Sequence, residues 1–152
     1  MRYHPVRFVL ALLIAASAAV ALQAQTPARP ALLNANTATE AQMAALPHLN
    51  ATLAKAVVAK RPFKTFVDLD AVLKPTLMPA QLTEVYARLF VPVNINVATD
   101  AEVLLIPGAG RRMVREFTEY RPWLSVEQFR REIGKYVSKE EVARFEQYVV
   151  LK

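Results

Sequence analysis

Apolar residues in this chain recur three and four positions apart in short runs, most of them opened by a hydroxyl residue and closed by proline or glycine. Met43 and Leu46 follow Thr39. Leu53 and Val57, with Ala54 and Val58, come next, then Phe66, Leu69 and Leu73 after Thr65, and Leu82, Val85, Tyr86 and Leu89 after Pro79. Such spacing places the apolar positions on one face of an α-helix. The series returns sixty residues later as Val103 and Ile106, then Met113 and Phe117 with Val114, then Val126, Phe129 and Ile133, then Val142, Phe145, Tyr148 and Val149. Period-two alternation is confined to the few residues of 31–36 and 90–96. The pattern predicts an all-α chain of eight short helices in two sets of four.

The polar residues between these runs predict where the helices begin and end. Thr39 with Gln42, and Thr99 with Glu102, fit a capping box, so helices should start at Glu40 and Asp100 and stop at Pro47 and Pro107. The next helices are expected over Ala51 to Lys60 and Arg111 to Tyr120, ended by Arg61-Pro62 and Arg121-Pro122, because a residue before proline is pushed out of the helical region. Thr65 with Asp68 and Ser125 with Gln128 should cap a third helix; Ser138 with Glu141 should cap the fourth of the second set, and Pro79 suits a first helical turn. Phe63 and Trp123 are expected as core plugs. Asn34, Asn36, Asn94 and Asn96 are expected to fix the segments entering the first helices, and the matched pair Arg61 and Arg121 points to a structural role.

The repeat is also literal. Leu33-Asn34-Ala35-Asn36-Thr37-Ala38-Thr39 returns as Val93-Asn94-Ile95-Asn96-Val97-Ala98-Thr99, and Lys60-Arg61-Pro62-Phe63 as Tyr120-Arg121-Pro122-Trp123, with no gap between. Two units follow, 32–91 and 93–152, joined so tightly that they should hold a restricted relation to one another. Residues 1–24 read differently: Arg2 and Arg7 precede the apolar stretch from Phe8 to Val20, and Ala21 or Ala24 offers a small-residue cleavage site, the signature of a secretory signal peptide. An uncleaved membrane anchor is the alternative, although Phe8 to Leu22 falls short of the roughly 20 residues a spanning helix needs. Residues 25–31, with Pro27 and Pro30, read as a flexible lead-in. The chain has no cysteine, so no disulfide framework is available.

Charge narrows the candidate chemistry. The whole chain carries +6; from Gln25 onward 17 Lys and Arg stand against 13 Asp and Glu, split 7 to 4 in the first unit and 10 to 9 in the second. That balance argues against a diffuse polycation and leaves binding to depend on where a few charges sit. The second unit concentrates them: Pro107-Gly108-Ala109-Gly110-Arg111-Arg112 is a glycine hairpin running into a basic helix start, with Arg115 a turn further on. Glycines let a phosphate approach backbone N–H groups that a Cβ would shield. The bland reading is a solvated face, since Arg112 with Glu116 and Arg115 with Glu119 are i,i+4 pairs. The first unit has His48-Leu49-Asn50 at the same place; Asn50 is the residue expected to tolerate a left-handed backbone there, and His48 fits it less comfortably. His48 is expected as a polar turn residue and no metal site is expected. Lys55, Lys60, Arg61 and Lys64 make a weaker basic edge. No cluster of nucleophile, base and acid occurs, so no enzyme, cofactor or small-molecule substrate is expected.

The fuller pattern, Val-Asn-Ile-Asn-x-Ala-Thr from Val93, Ile106 to Gly110, and Tyr-Arg-Pro-Trp from Tyr120 with Ser125 and Phe129 after it, resembles the ComEA-type competence DNA receptor domain, a helix-hairpin-helix family. The resemblance covers about 120 residues as two consecutive units. It implies non-sequence-specific binding of double-stranded DNA by a periplasmic protein that serves DNA uptake, with other periplasmic or membrane uptake proteins as further partners. It carries the DNA contact to Gly108, Ala109, Gly110, Arg111, Arg112 and Arg115, and a secondary contact to Gly134, Lys135 and Lys139. Departures are plain: Ala109 replaces a larger aliphatic residue, Lys74-Pro75-Thr76 replaces the first unit's second hairpin, and Gly134-Lys135-Tyr136 keeps one glycine. The same fold also serves protein-interaction and assembly modules without DNA, the competing expectation.

Overall fold

The computed structural model describes residues 31–152; the expected leader and residues 25–30 of the lead-in lie outside the described residues. The first half runs β1 (Leu33–Asn34), α1 (Glu40–Ala44), α2 (Ala51–Ala59), α3 (Phe66–Leu73), α4 (Pro79–Tyr86) and β2 (Leu89–Phe90). The second runs β3 (Val93–Asn94), α5 (Asp100–Leu105), α6 (Arg111–Glu119), α7 (Val126–Ile133), α8 (Lys139–Glu146) and β4 (Val149–Val150). The fold is mostly helical, and the helices start where the caps predict. Thr39 Oγ1 accepts from the Gln42 N–H at 3.1 Å while Gln42 returns its Oε1 to the Thr39 N–H at 2.8 Å. Full boxes also form at Thr65 with Asp68 and Thr99 with Glu102. Ser125 and Ser138 form half of one, because Gln128 turns to the Leu124 N–H at 2.9 Å and Glu141 turns to Arg144.

Each half is closed by its own ends. β1 pairs in parallel with β2, Leu33 beside Leu89, and β3 with β4, Val93 beside Val149. Inside the closure the asparagines do what the repeat suggested. Asn34 accepts from the Asn36 N–H at 2.9 Å, and Asn36 grips Phe63 twice, donating to its carbonyl at 2.9 Å and accepting from its N–H at 2.8 Å. Asn96 repeats the grip on Trp123 at 3.1 and 2.7 Å. Arg61 donates to the carbonyls of Ala35 and Ala38, both at 2.5 Å, and Arg121 to those of Ile95 and Ala98, both at 2.6 Å. These two guanidiniums are therefore structural clamps, and Arg61 leaves the basic edge that Lys55, Lys60 and Lys64 retain on the surface.

Phe63 and Trp123 are buried plugs, and the Trp123 indole N–H donates to the Phe117 carbonyl at 2.8 Å. The halves share one apolar core. Across their joint the buried Glu102 accepts the Phe66 N–H at 3.2 Å, capping α3 from α5, and the Tyr148 hydroxyl donates to the Tyr86 carbonyl at 2.9 Å. That contact explains one correction. Val126, placed by its spacing on the inward face like its counterpart Phe66, is 38% exposed: α5 packs against α3, whereas α7 packs chiefly against α8 of its own half. Leu46 and Val149 are also only half-buried. Among the described residues no helix is long and apolar enough to cross a membrane.

Candidate functional site

The two hairpins share one backbone course. Leu49 donates its N–H to Leu46 at 3.2 Å and Ala109 to Ile106 at 2.9 Å; both side chains are buried and anchor the turn. The residue between proline and anchor is left-handed in both, with φ 65° at His48 and 79° at Gly108. This corrects the expectation for Asn50, which has φ −97° and ψ 172° and caps α2 instead, its Oδ1 accepting the Leu53 N–H at 2.8 Å. His48 tolerates the strained backbone while its Nε2 lies 2.9 Å from the Glu84 carboxylate on α4.

Gly110 occupies the place of Asn50 with no side chain to offer, so no side chain caps α6. Its φ of −80° is open to any residue, and a Cβ there would meet nothing within 4 Å. Neither backbone nor packing calls for glycine at 110. The consequence is a helix start whose first N–H groups no side chain caps, although the N–H of Gly110 itself donates to the Gly108 carbonyl at 3.1 Å. Gly108 differs: its φ suits glycine, and a Cβ would collide with the guanidinium of Arg144 on α8.

Arg111, Arg112 and Arg115 are all exposed around that start. The anticipated i,i+4 pairs do not form. Arg112 lies over the Tyr136 ring, 4.8 Å from its centroid, and Arg115 donates to the buried Glu116 at 3.3 Å instead of to Glu119. Glu116 and Tyr120 are drawn toward Tyr136, whose hydroxyl is 2.9 Å from that of Tyr120; these bonds, that of Tyr120 foremost, push the Tyr136 hydroxyl above its ordinary pKa. Lys135 stands 5.4 Å above the Tyr120 ring and binds Glu132, which holds the ammonium more firmly protonated. Glu132 is itself kept below the usual carboxylate range by Lys135 and then by Arg131. Two linked tyrosines thus join Arg112 of α6 to Lys135 in the α7–α8 turn, which places one primary and one secondary candidate on one surface.

Three candidates sit less favourably. Ala109 is buried with its N–H already used, so it holds the turn. Gly134 ends α7 in a right-handed conformation, its N–H on the Arg130 carbonyl at 3.0 Å, and forms no counterpart of the Gly108 bend. Lys139 is exposed at the first position of α8. The near-neutral sum of the second half conceals a division. Glu146, Glu132 and Glu141 engage Arg130, Arg131 with Lys135, and Arg144 on α7 and α8, whereas Arg111 and Arg112 have no acidic partner among the described residues. Sequence reasoning missed Arg144 and the two tyrosines. Alignment of the repeat held a signal for the first: His48 becomes Gly108 where Glu84 becomes Arg144.

The family model of the helix-hairpin-helix motif matches residues 31–85, which hold β1, α1 to α3 and all of α4 but its last residue, Tyr86. No curated protein and no solved structure matches the chain.

Proposed function

We propose that this chain binds double-stranded DNA through its phosphates, without reading bases, at the hairpin and helix start formed by Gly108, Gly110, Arg111, Arg112 and Arg115. The helix-hairpin-helix match of the first half makes nucleic acid a fitting partner, and the second half carries the chemistry for it. The observation that carries the reading is Gly110, a glycine that the fold does not require, at the head of an uncapped helix whose first turn holds two arginines. Cations there oppose the helix dipole by roughly 0.3–1 kcal/mol each, and a bound anion removes the conflict. Contacts to phosphate position a protein on a duplex and are blind to sequence. In the same proposal the leader directs the chain to the periplasm, where it serves DNA uptake; N-terminal sequencing of exported protein should find a start near Leu22 or Gln25.

The decisive experiment titrates 25–152 with duplexes of unrelated sequence at two salt concentrations. Replacing Arg111, Arg112 and Arg115 together by Ala should weaken all duplexes alike and lower the slope of log K against log salt by about 2.7, from about 0.9 per lost phosphate contact. A folded variant that binds as tightly as the parent refutes the reading. The assembly-module alternative keeps one specific support: a groove of about 800 Å³ between the halves, with Met78 and Leu104 exposed on its walls beside the hairpin.

A further inference from the structure

The residue that distinguishes the two hairpins most is not on either of them. Arg144 of α8 reaches back across 36 residues to Gly108, its guanidinium filling the space a side chain at 108 would need. Its Nε donates to Glu141 Oε2 at 2.9 Å, its Nη2 to Glu141 Oε1, and its Nη1 to the Pro107 carbonyl. A guanidinium carries five N–H donors. Three are spent, leaving one on Nη1 and one on Nη2 beside Gly108. The side chain is 19% exposed, and its plane rests 4.7 Å from the Phe145 ring centroid, which fixes the fork.

The first half supplies an internal contrast at the same place. Residue 84, the counterpart of 144, is glutamate, and its carboxylate takes the His48 ring nitrogen. That hairpin therefore faces a carboxylate that can only accept, whereas the other faces a guanidinium with unspent donors beside its partner Glu141, whose Oε1 lies 3.0 Å from where a Cβ on Gly108 would stand. A phosphate finds no side-chain donor but the His48 ring at the first and two N–H donors at the second.

We propose that Arg144 is a further phosphate ligand of the Gly108–Gly110 hairpin, aimed by Glu141 and the Pro107 carbonyl so that its two remaining N–H groups meet the phosphate that the hairpin admits. The inference rests on the phosphate reading above and extends it to a helix far away in sequence. Pre-orientation is what makes the contact effective: a fork already held by carboxylate and carbonyl loses little freedom on meeting an anion. Glu141 has two effects of opposite sign, since it orients the guanidinium and also offsets its charge.

The test measures duplex affinity and salt dependence for the full mature chain and for Arg144→Gln and Glu141→Gln, with thermal unfolding of each. Arg144→Gln should bind roughly ten-fold more weakly at low salt and lose about 0.9 from the salt slope. Glu141→Gln keeps an oxygen to accept from Arg144 and removes the opposing charge, so it should bind more tightly than the parent. A residue that merely braces the hairpin predicts the same sign for both variants, and parallel weakening overturns the proposal. So does a parental salt slope in folded Arg144→Gln. Should Arg144→Gln not fold, Glu141→Gln decides: tighter binding supports the ligand role, unchanged or weaker binding ends it. If the triple-arginine variant loses slope and Arg144→Gln does not, this inference alone falls; if the parent does not bind duplex, both fall.

Discussion

Pro47 to Asn50 and Pro107 to Gly110 trace one backbone course with different polar groups. The first hairpin occupies its own valences: Asn50 caps α2, and His48 meets Glu84. The second leaves α6 uncapped and puts an arginine where the glutamate was. The left-handed bend belongs to the fold, because histidine accepts it in one half and glycine in the other. The bare residue at 110 belongs to something else, because asparagine does the structural work better at 50. A duplicated element thus separates what a turn needs from what a partner needs.

The contrast can be broken most heavily at Gly108. Alanine there must take a left-handed backbone and push against Arg144, and we expect a loss of about 1–3 kcal/mol in urea unfolding. Adding Arg144→Ala should recover the part due to collision, whereas His48→Gly in the first hairpin should shift stability by no more than about 0.5 kcal/mol. Transplanting the chemistry sharpens the comparison from the other side. His48→Gly, Asn50→Gly and Glu84→Arg together should turn the first hairpin into a second phosphate site, raising the salt slope by about 0.9 or more. An unchanged slope in the folded variant would show that the backbone course and these three residues are insufficient. Smallest is the exchange of caps. Asn50→Ala should cost about 1 kcal/mol, while Gly110→Asn should stabilise by a few tenths of a kcal/mol and yet weaken duplex binding, measured by thermal melts and titration on the same sample.

Much of the fold is legible in the sequence because its signals are local. A threonine and a glutamine three residues apart declare a helix start by themselves, and Phe63 or Trp123 after Arg-Pro marks a plug. What escaped depends on distant neighbours. Val126 looks as apolar and as well placed as Phe66, but its burial would need a helix packed over it from outside its own unit. Arg112 and Arg115 obey the i,i+4 rule on paper; Tyr136, arriving from the next turn, offers Arg112 its ring and binds Glu116 and Tyr120. Asn50 looks like a residue for a left-handed bend, and the register of the turn places it two residues beyond, where a cap is wanted. Arg144 is invisible to any local rule, since Gly108 is 36 residues away. Only the simultaneous change at 48/108 and 84/144 between the halves betrays the contact.

The parallel pairing of each half's first and last residues has a consequence for the origin of the molecule. Leu33 lies beside Leu89 and Val93 beside Val149, so the chain enters and leaves each unit at neighbouring points. A segment with adjacent ends can be inserted in line with itself without stretching its host or rerouting a loop, and the junction needs little more than Val91 and Pro92 between β2 and β3. Copying such a segment leaves the older unit closed and intact, which frees one hairpin to keep the turn while the other changes its charge.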